Sequence, residues 1–273
     1  MRVLLILFFC FSVLFSKSQT KNTLVNPSGK TISERFLLPS GFVRIDNKNT
    51  TYDDYLRNLK LKPSESKVYL YNNKLKNRQD VHEAVIDMEV GNKDLQQCAD
   101  AVMRLRAEYL YQTIHFDRIH FNFTNGTTAE YVKYAEGFRY NAKTNSWNKT
   151  AKVDYTYETF KKFLELVFTY AGSLSLSKEL VPVNNINDIR PGDVFIKGGS
   201  PGHAVMVIDV IKNPETNLTL FMLAQSYMPA QNIHVLKNFN SEMLSPWYNV
   251  NFGFTLETPE WSFKKNELMR FKD

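Results

Sequence analysis

Three side chains of this sequence, Cys98, His203 and Gln225, are of the types that build an activated nucleophile. A thiolate attacks a carbonyl carbon, an imidazole takes up and returns the proton, and a carboxamide can hold the imidazole in one orientation. Cys98 lies near the predicted start of a helix, where the helix dipole and free N–H groups favour the thiolate and lower the pKa of the thiol. These residue types therefore indicate nucleophilic attack on a carbonyl group.

Cys98 has no second cysteine to pair with if the start of the sequence is a signal peptide that is removed. Of the two cysteines among 273 residues, the other, Cys10, lies in an apolar run over residues 3–15. A positive charge before the run and a small-x-small site after it are typical of a secretory signal peptide, here residues 1–18. We therefore expect an exported chain, periplasmic or secreted. A lone thiol in an oxidising compartment is either buried as a small apolar side chain or used chemically, and both interpretations stay open.

The segment around Cys98 has the periodicity of an amphipathic helix. Leucine, cysteine, valine and tyrosine recur at steps of three and four residues from Leu95 to Tyr109. This spacing puts them on one apolar stripe and predicts a helix over residues 95–111. Asp94 is the expected N-cap, which places Cys98 in the first turn or so, on the inward face.

His203 and Gln225 lie on two predicted strands joined by a turn. An apolar strand over residues 203–211 is followed by the turn 213–217 and by a returning strand over residues 218–226. If Ile211 faces Asn217 across the turn, His203 falls opposite Gln225, within one residue either way. Directly opposite side chains of an antiparallel pair lie about 5 Å apart at Cβ, so the two can form a hydrogen bond.

The composition predicts one α+β domain over residues 19–273, since hydrophobic residues make up 43% of the chain and helical and strand patterns both occur. The formal net charge is +6, with basic residues scattered and no Lys/Arg block, so nucleic acid is not an expected partner. No segment after the signal peptide is long enough to span a membrane. A lipid anchor at Cys10 is disfavoured because two bulky phenylalanines precede it.

The order of these motifs resembles the NlpC/P60 group of papain-like cysteine peptidases and amidases. A cysteine starts a helix, the turn Pro191-Gly192-Asp193 precedes a strand, and Gly202-His203 opens the next one. The resemblance implies a papain-like core, with a helix packed on a small antiparallel sheet. Here that core covers residues 91–240, with an N-terminal extension to about residue 90 and a long insertion. It also implies that Cys98 is the nucleophile, His203 the base and Gln225 the residue that orients the base.

A longer resemblance links the chain to an uncharacterised secreted bacterial family, a domain of unknown function. Four stretches carry it: residues 94–110 around Cys98, 191–196, 202–207 around His203, and 223–231 around Gln225. This resemblance implies an exported bacterial protein and no particular reaction.

We therefore expect a thiol hydrolase, a peptidase or amidase that cleaves an amide bond such as one in cell-wall peptide. The backbone N–H of Cys98, with Gln96 or Gln97, is expected to bind the oxyanion, and Ser200 and Gly202 to contact a peptide or cell-wall fragment. No metal or other cofactor is expected, because no further metal-ligating residues accompany the histidines at a ligand spacing in the sequence. Two alternatives remain open: a non-catalytic envelope protein that binds peptide or glycan on the same fold, and an assembly protein.

Overall fold

The structure, a computed structural model, describes residues 24–45 and 51–272. The predicted signal peptide, residues 1–18, lies outside the described residues. The helices are α1 (Ile32–Arg35), α2 (Thr51–Arg57), α3 (Cys98–Gln112), α4 (Tyr131–Ala135), α5 (Tyr157–Tyr170) and α6 (Ser173–Glu179), with short 3₁₀ turns at Phe116–Arg118, Ile186–Asp188 and Lys265–Glu267. The strands are β1 (Val43–Arg44), β2 (His82–Val85), β3 (His120–Asn122), β4 (Thr128–Glu130), β5 (Phe138–Asn141), β6 (Ser146–Lys149), β7 (Val181–Pro182), β8 (Val194–Lys197), β9 (His203–Lys212), β10 (Thr219–Gln225), β11 (His234–Leu236), β12 (Tyr248–Asn249), β13 (Thr255–Glu257), β14 (Ser262–Lys264) and β15 (Leu268–Arg270).

One antiparallel sheet organises the described chain. Its strand order is β2-β11-β10-β9-β8-β15-β7, with β1 beside β9 and β12 beside β10. Three two-stranded pairs, β3–β4, β5–β6 and β13–β14, lie off this sheet. The fold is α+β, as expected, and its sheets are antiparallel.

Both faces of the sheet are covered, which explains why β9 is apolar at nearly every position. Met206 and Ile208 face the helical side, in the cluster that contains the apolar residues of α3 and α5. Val205 and Val207 face the other side, where the C-terminal segment packs around Phe263. A strand with both faces buried loses the polar alternation of a half-exposed strand.

The N-terminal part of the chain and the C-terminus both contribute strands to this sheet. β1 pairs with β9, β2 with β11, and β15 with β8. The sheet therefore includes strands from both sides of residues 91–240. The carboxylate of Asp209 on β9 binds Arg44 at 2.8 Å and Arg57 at 2.7 Å, which ties the N-terminal extension to the central strand.

Two predicted elements differ from the structure. The helix begins at Cys98 rather than Leu95, and the residue before it, Gln97, has extended backbone angles. The strand pair starts with Thr219 opposite Lys212, and a bulge between Met222 and Leu223 shifts the register once more. Looser turns and bulges of this kind leave no trace in the apolar pattern.

Among the described residues, no helix has both the length and the apolar character needed to cross a bilayer.

Candidate active site

Cys98 is the first residue of α3, so that the free N–H groups of the first helical turn surround its side chain. The helix begins here because the carboxyl of Asp100 accepts a hydrogen bond from the N–H of Gln97 at 3.0 Å. Asp94, the expected N-cap, has a different role: its Oδ1 accepts hydrogen bonds from Gln97 Nε2 at 3.1 Å and from the N–H of Ala230 at 2.7 Å. It thereby fastens the loop before the helix to the loop after β10.

Cys98 is half-buried, and its sulfur lies near backbone N–H donors. Burial raises the pKa of the thiol, and the carboxyl of Asp100 raises it further, whereas the N–H groups of Ala204, Ala99 and Cys98 itself lower it in part. The expectation of a lowered thiol pKa is therefore wrong, because the sequence shows the helix start but not the depth of burial. The same three N–H groups can stabilise negative charge that develops next to the sulfur.

His203 is buried at the start of β9 and is held by the carboxamide of Gln225. Its Nε2 lies 2.9 Å from Gln225 Oε1. Ala224 pairs with Met206, so the two side chains meet diagonally rather than directly opposite. The expected register is off by two residues, yet a diagonal neighbour on the same face is still within reach of long side chains. Burial lowers the pKa of His203 to about 4, so the ring is neutral at neutral pH.

Aromatic side chains enclose the His203 ring. The ring centroids of Tyr227, Trp261 and Phe263 lie 4.7, 5.3 and 5.9 Å from that of His203. This environment explains the low pKa, since an imidazolium ion would lose its hydration there.

Cys98 and His203 line the same cavity, of about 520 Å³. Gln97, Ser200 and Gly202, three of the residues expected to contact substrate, line it as well, together with Tyr227 and Trp261. The hydrogen bond of the His203 ring in the described chain goes to Gln225 and not to the Cys98 sulfur. The structure thus brings nucleophile and base to one cavity without a direct hydrogen bond between them.

The fourth residue expected to contact substrate, Gln96, does not line this cavity. Its side chain is buried, its Oε1 accepts a hydrogen bond from Arg104 Nη1, and its carbonyl oxygen accepts one from Ser226 Oγ at 2.9 Å. Arg104 attracts the amide because both groups are buried and need partners. The side chain supports the loop before α3, and Gln96 lines a second, adjoining cavity instead, so its contact with substrate stays a prediction.

A network behind Gln225 was missed by the sequence analysis. Gln225 Nε2 donates to Glu260 Oε2 at 2.8 Å and lies 3.4 Å from Nε2 of His234. Lys76 Nζ forms a 2.6 Å salt bridge with the same carboxylate. Lys76 and Glu260 come from opposite ends of the sequence and lie in loops, so no periodicity or motif singles them out.

A second cavity, of about 660 Å³, adjoins the first and shares Leu95 and Phe168 with it. Its charged lining includes four lysines and three glutamates: Lys62, Lys93, Lys161, Lys162, Glu89, Glu158 and Glu165. The groove that starts at Cys98 therefore continues toward a polar, mixed-charge region. In the described part of the chain, no group of three or more His, Cys, Asp or Glu side chains is arranged to hold a metal ion.

Fold and site together define an α+β protein with a cysteine, a histidine and a glutamine at one sheet end. The chain belongs to the family described as domain of unknown function 4846 (DUF4846), which matches residues 32–270. No curated protein and no solved structure matches the chain.

Proposed function

We propose that the protein is an exported thiol hydrolase, a peptidase or amidase that cleaves an amide bond in a peptide such as a cell-wall fragment. The observation that carries this proposal is the placement of Cys98, at the first residue of α3, in one cavity with His203. Gln225 on the adjacent strand binds the histidine, which is the third element of such a site. The helix against an antiparallel sheet and the order of these residues support the resemblance to the NlpC/P60 group.

The proposed reaction starts from a neutral thiol and a neutral imidazole, in keeping with the raised pKa of Cys98 and the lowered pKa of His203. His203 takes the thiol proton as the sulfur bonds to the carbonyl carbon. The N–H groups beside the sulfur, from Cys98, Ala99 and Ala204, stabilise the oxyanion. The C–N bond then breaks, and the leaving amine takes the proton from His203. Water, deprotonated by the same histidine, hydrolyses the thioester and restores the thiol.

The shape of the groove favours a peptide substrate. The cavity at Cys98 and its neighbour join at Leu95 and Phe168, which leaves room for chain on the side of α5. Tyr227 and Trp261 offer flat apolar surfaces next to the thiol, and the lysines and glutamates of the second cavity offer partners for charged peptide groups.

A second function, peptide or glycan binding without catalysis, is favoured by a specific observation. The thiol pKa is raised, and the His203 ring bonds to Gln225 rather than to the sulfur. In that case the groove binds the same class of ligand, and Cys98 is only part of its wall.

Hydrolysis of wall-derived peptides by the purified protein tests the proposal, with mass spectrometry to identify new amine and carboxyl termini. Cys98→Ala and His203→Ala should each lower the rate at least about 1,000-fold, because nucleophile and base act as a unit. His115→Ala is the matched control and should keep full activity, because His115 is exposed and lines neither cavity. Equal peptide binding by wild type and Cys98→Ala, with no hydrolysis by either, would establish the binding function instead.

A further inference from the structure

The carboxamide of Gln225 has its orientation set by the groups around it. One end lies 2.8 Å from Oε2 of Glu260, and the other lies 2.9 Å from Nε2 of His203. A carboxylate has only acceptor atoms, so the amide must turn its NH₂ group toward Glu260. The amide oxygen is then left to face His203.

That orientation determines the proton on the His203 ring. Because the amide oxygen of Gln225 can only accept, Nε2 of His203 must be the protonated nitrogen. Nδ1 of the neutral ring therefore carries the lone pair, and it is the nitrogen that can take a proton.

The neighbouring His234 agrees with this assignment. Its Nδ1 lies 2.9 Å from the carbonyl oxygen of Asn232, so Nδ1 must donate and Nε2 must accept. Nε2 of His234 lies 3.4 Å from the NH₂ group of Gln225, which is the donor that this arrangement needs. Two neighbours of different chemistry thus favour the same orientation of Gln225, Glu260 through a short contact of 2.8 Å and His234 through a longer one of 3.4 Å.

Lys76 keeps Glu260 in place as the acceptor. The side chains of Lys76 and Glu260 are 7% and 10% exposed, and their charged atoms lie 2.6 Å apart. A carboxylate that is buried without a partner is strongly unfavourable, so Glu260 would leave this position or become protonated without the lysine. Lys76 also lies 5.2 Å from the ring centroid of Tyr227, which lines the cavity.

We propose that Glu260 and Lys76 are positioning residues that hold His203 in its Nε2–H tautomer through Gln225 and so make Nδ1 the base. The catalytic consequence rests on the proposed function, whereas the tautomer itself does not.

Histidine tautomers can be read directly from long-range ¹H–¹⁵N correlation spectra of the full protein labelled at its histidines, at pH 7.5 without substrate. The wild-type His203 should show a protonated Nε2 and an unprotonated Nδ1, and the opposite assignment would overturn the proposal. In the double variant Lys76→Met/Glu260→Leu, the His203 signals should move toward a mixture of tautomers, because only the longer contact of 3.4 Å with His234 then holds the Gln225 amide. The double variant Arg78→Met/Asp80→Leu removes an exposed salt bridge of 2.7 Å and should leave them unchanged.

Measuring both the hydrolytic activity and the His203 tautomer distinguishes the proposed hydrolase function from the proposed positioning role of Lys76 and Glu260. If wall-derived peptide is hydrolysed, Lys76→Met/Glu260→Leu should lower kcat by up to about 100-fold with little change in KM, since only proton transfer is affected. A folded double variant whose His203 keeps a single Nε2–H tautomer would overturn the positioning role even if hydrolysis is seen. The expected tautomer in wild type and its loss in the variant, with no hydrolysis by wild type, would leave positioning intact and reject the hydrolase. Should the double variant not fold, Glu260→Gln gives the same decision, because its amide oxygen would face Lys76 and its NH₂ group would face Gln225, so that the His203 signals should again leave the single Nε2–H tautomer.

Discussion

Nε2 of His203 lies 2.9 Å from Oε1 of Gln225, one strand away, and both side chains are almost completely buried. A buried hydrogen bond adds little net stability. Removing one of its two partners is nevertheless costly, because the other partner then stays buried without a hydrogen bond to protein or water. The pair is thus a fixed part of the sheet end rather than a contact that forms on ligand binding.

Replacing Gln225 with leucine should lower the free energy of unfolding by about 1–3 kcal/mol, because His203 Nε2 and the carboxylate of Glu260 each lose a buried partner. Urea unfolding followed by circular dichroism measures the change. Gln112→Leu, at the exposed end of α3, is the matched control and should stay within about 0.5 kcal/mol of wild type. Equal losses in the two variants would contradict the buried role of Gln225.

Alkylation of Cys98 by iodoacetamide should be slow at neutral pH and should speed up only in alkaline solution, because burial raises the pKa of the thiol. Asp100→Asn should move this rise to lower pH. Burial raises the pKa of the Asp100 carboxyl to about 8, so it becomes charged in the range in which the thiol ionises. Asparagine keeps an oxygen that can accept the Gln97 N–H bond, so the helix start is preserved. Asp117→Asn, an exposed change after α3, is the control, and a rate that is already maximal below pH 7 would contradict the expectation.

The part of the stability that depends on His203 and His234 should fall as the pH drops from about 6.5 to about 4. Burial lowers the pKa of His203 to about 4 and that of His234 to about 3, whereas an unfolded histidine titrates near about 6.5. Between these pH values the unfolded chain binds more protons at these two histidines than the folded protein does, so protonation increasingly favours the unfolded state as the pH falls. The part due to His203 is on the order of 3 kcal/mol. In urea unfolding at a series of pH values, wild type should lose stability relative to His203→Gln over this range, whereas the exposed His120→Gln should follow wild type.

Asp209→Ala should destabilise the protein by about 3–5 kcal/mol, since it leaves the charges of Arg44 and Arg57 without their common buried partner. Asp80→Ala breaks an exposed pair with Arg78 and should cost at most about 1 kcal/mol. Thermal or urea unfolding compares the two variants. Similar small losses for both would show that Asp209 is not a structural anchor.

The elements nearest the site were predictable because each has a strong local signal. The apolar spacing after Leu95 indicated α3, and the apolar run after His203 indicated β9 and the returning strand. The meeting of His203 and Gln225 followed from the short turn between their strands. Its geometry was predicted less well, because the bulge after Met222 depends on tertiary packing.

Properties that depend on contacts across the sequence were not predictable. The side chain of Asp94 suggested a helix start, but Asp100 and the packing of the loop place that start at Cys98. The thiol pKa follows from burial, and Lys76 and Glu260, which form a salt bridge, are 184 positions apart in the sequence. A single sequence shows the residue types at such a site but not the distances between them.

The pairing of β1 with β9 has a consequence for how the chain reaches its native state. Arg44 and Asp209 are separated by 165 positions, and the strands that carry them lie side by side in the sheet. Contacts over such long separations slow folding, because a large loop must close before they form. The segment that carries β1 therefore cannot pair with β9 until most of the polypeptide has been synthesised. We expect a dependence on holding chaperones during that interval.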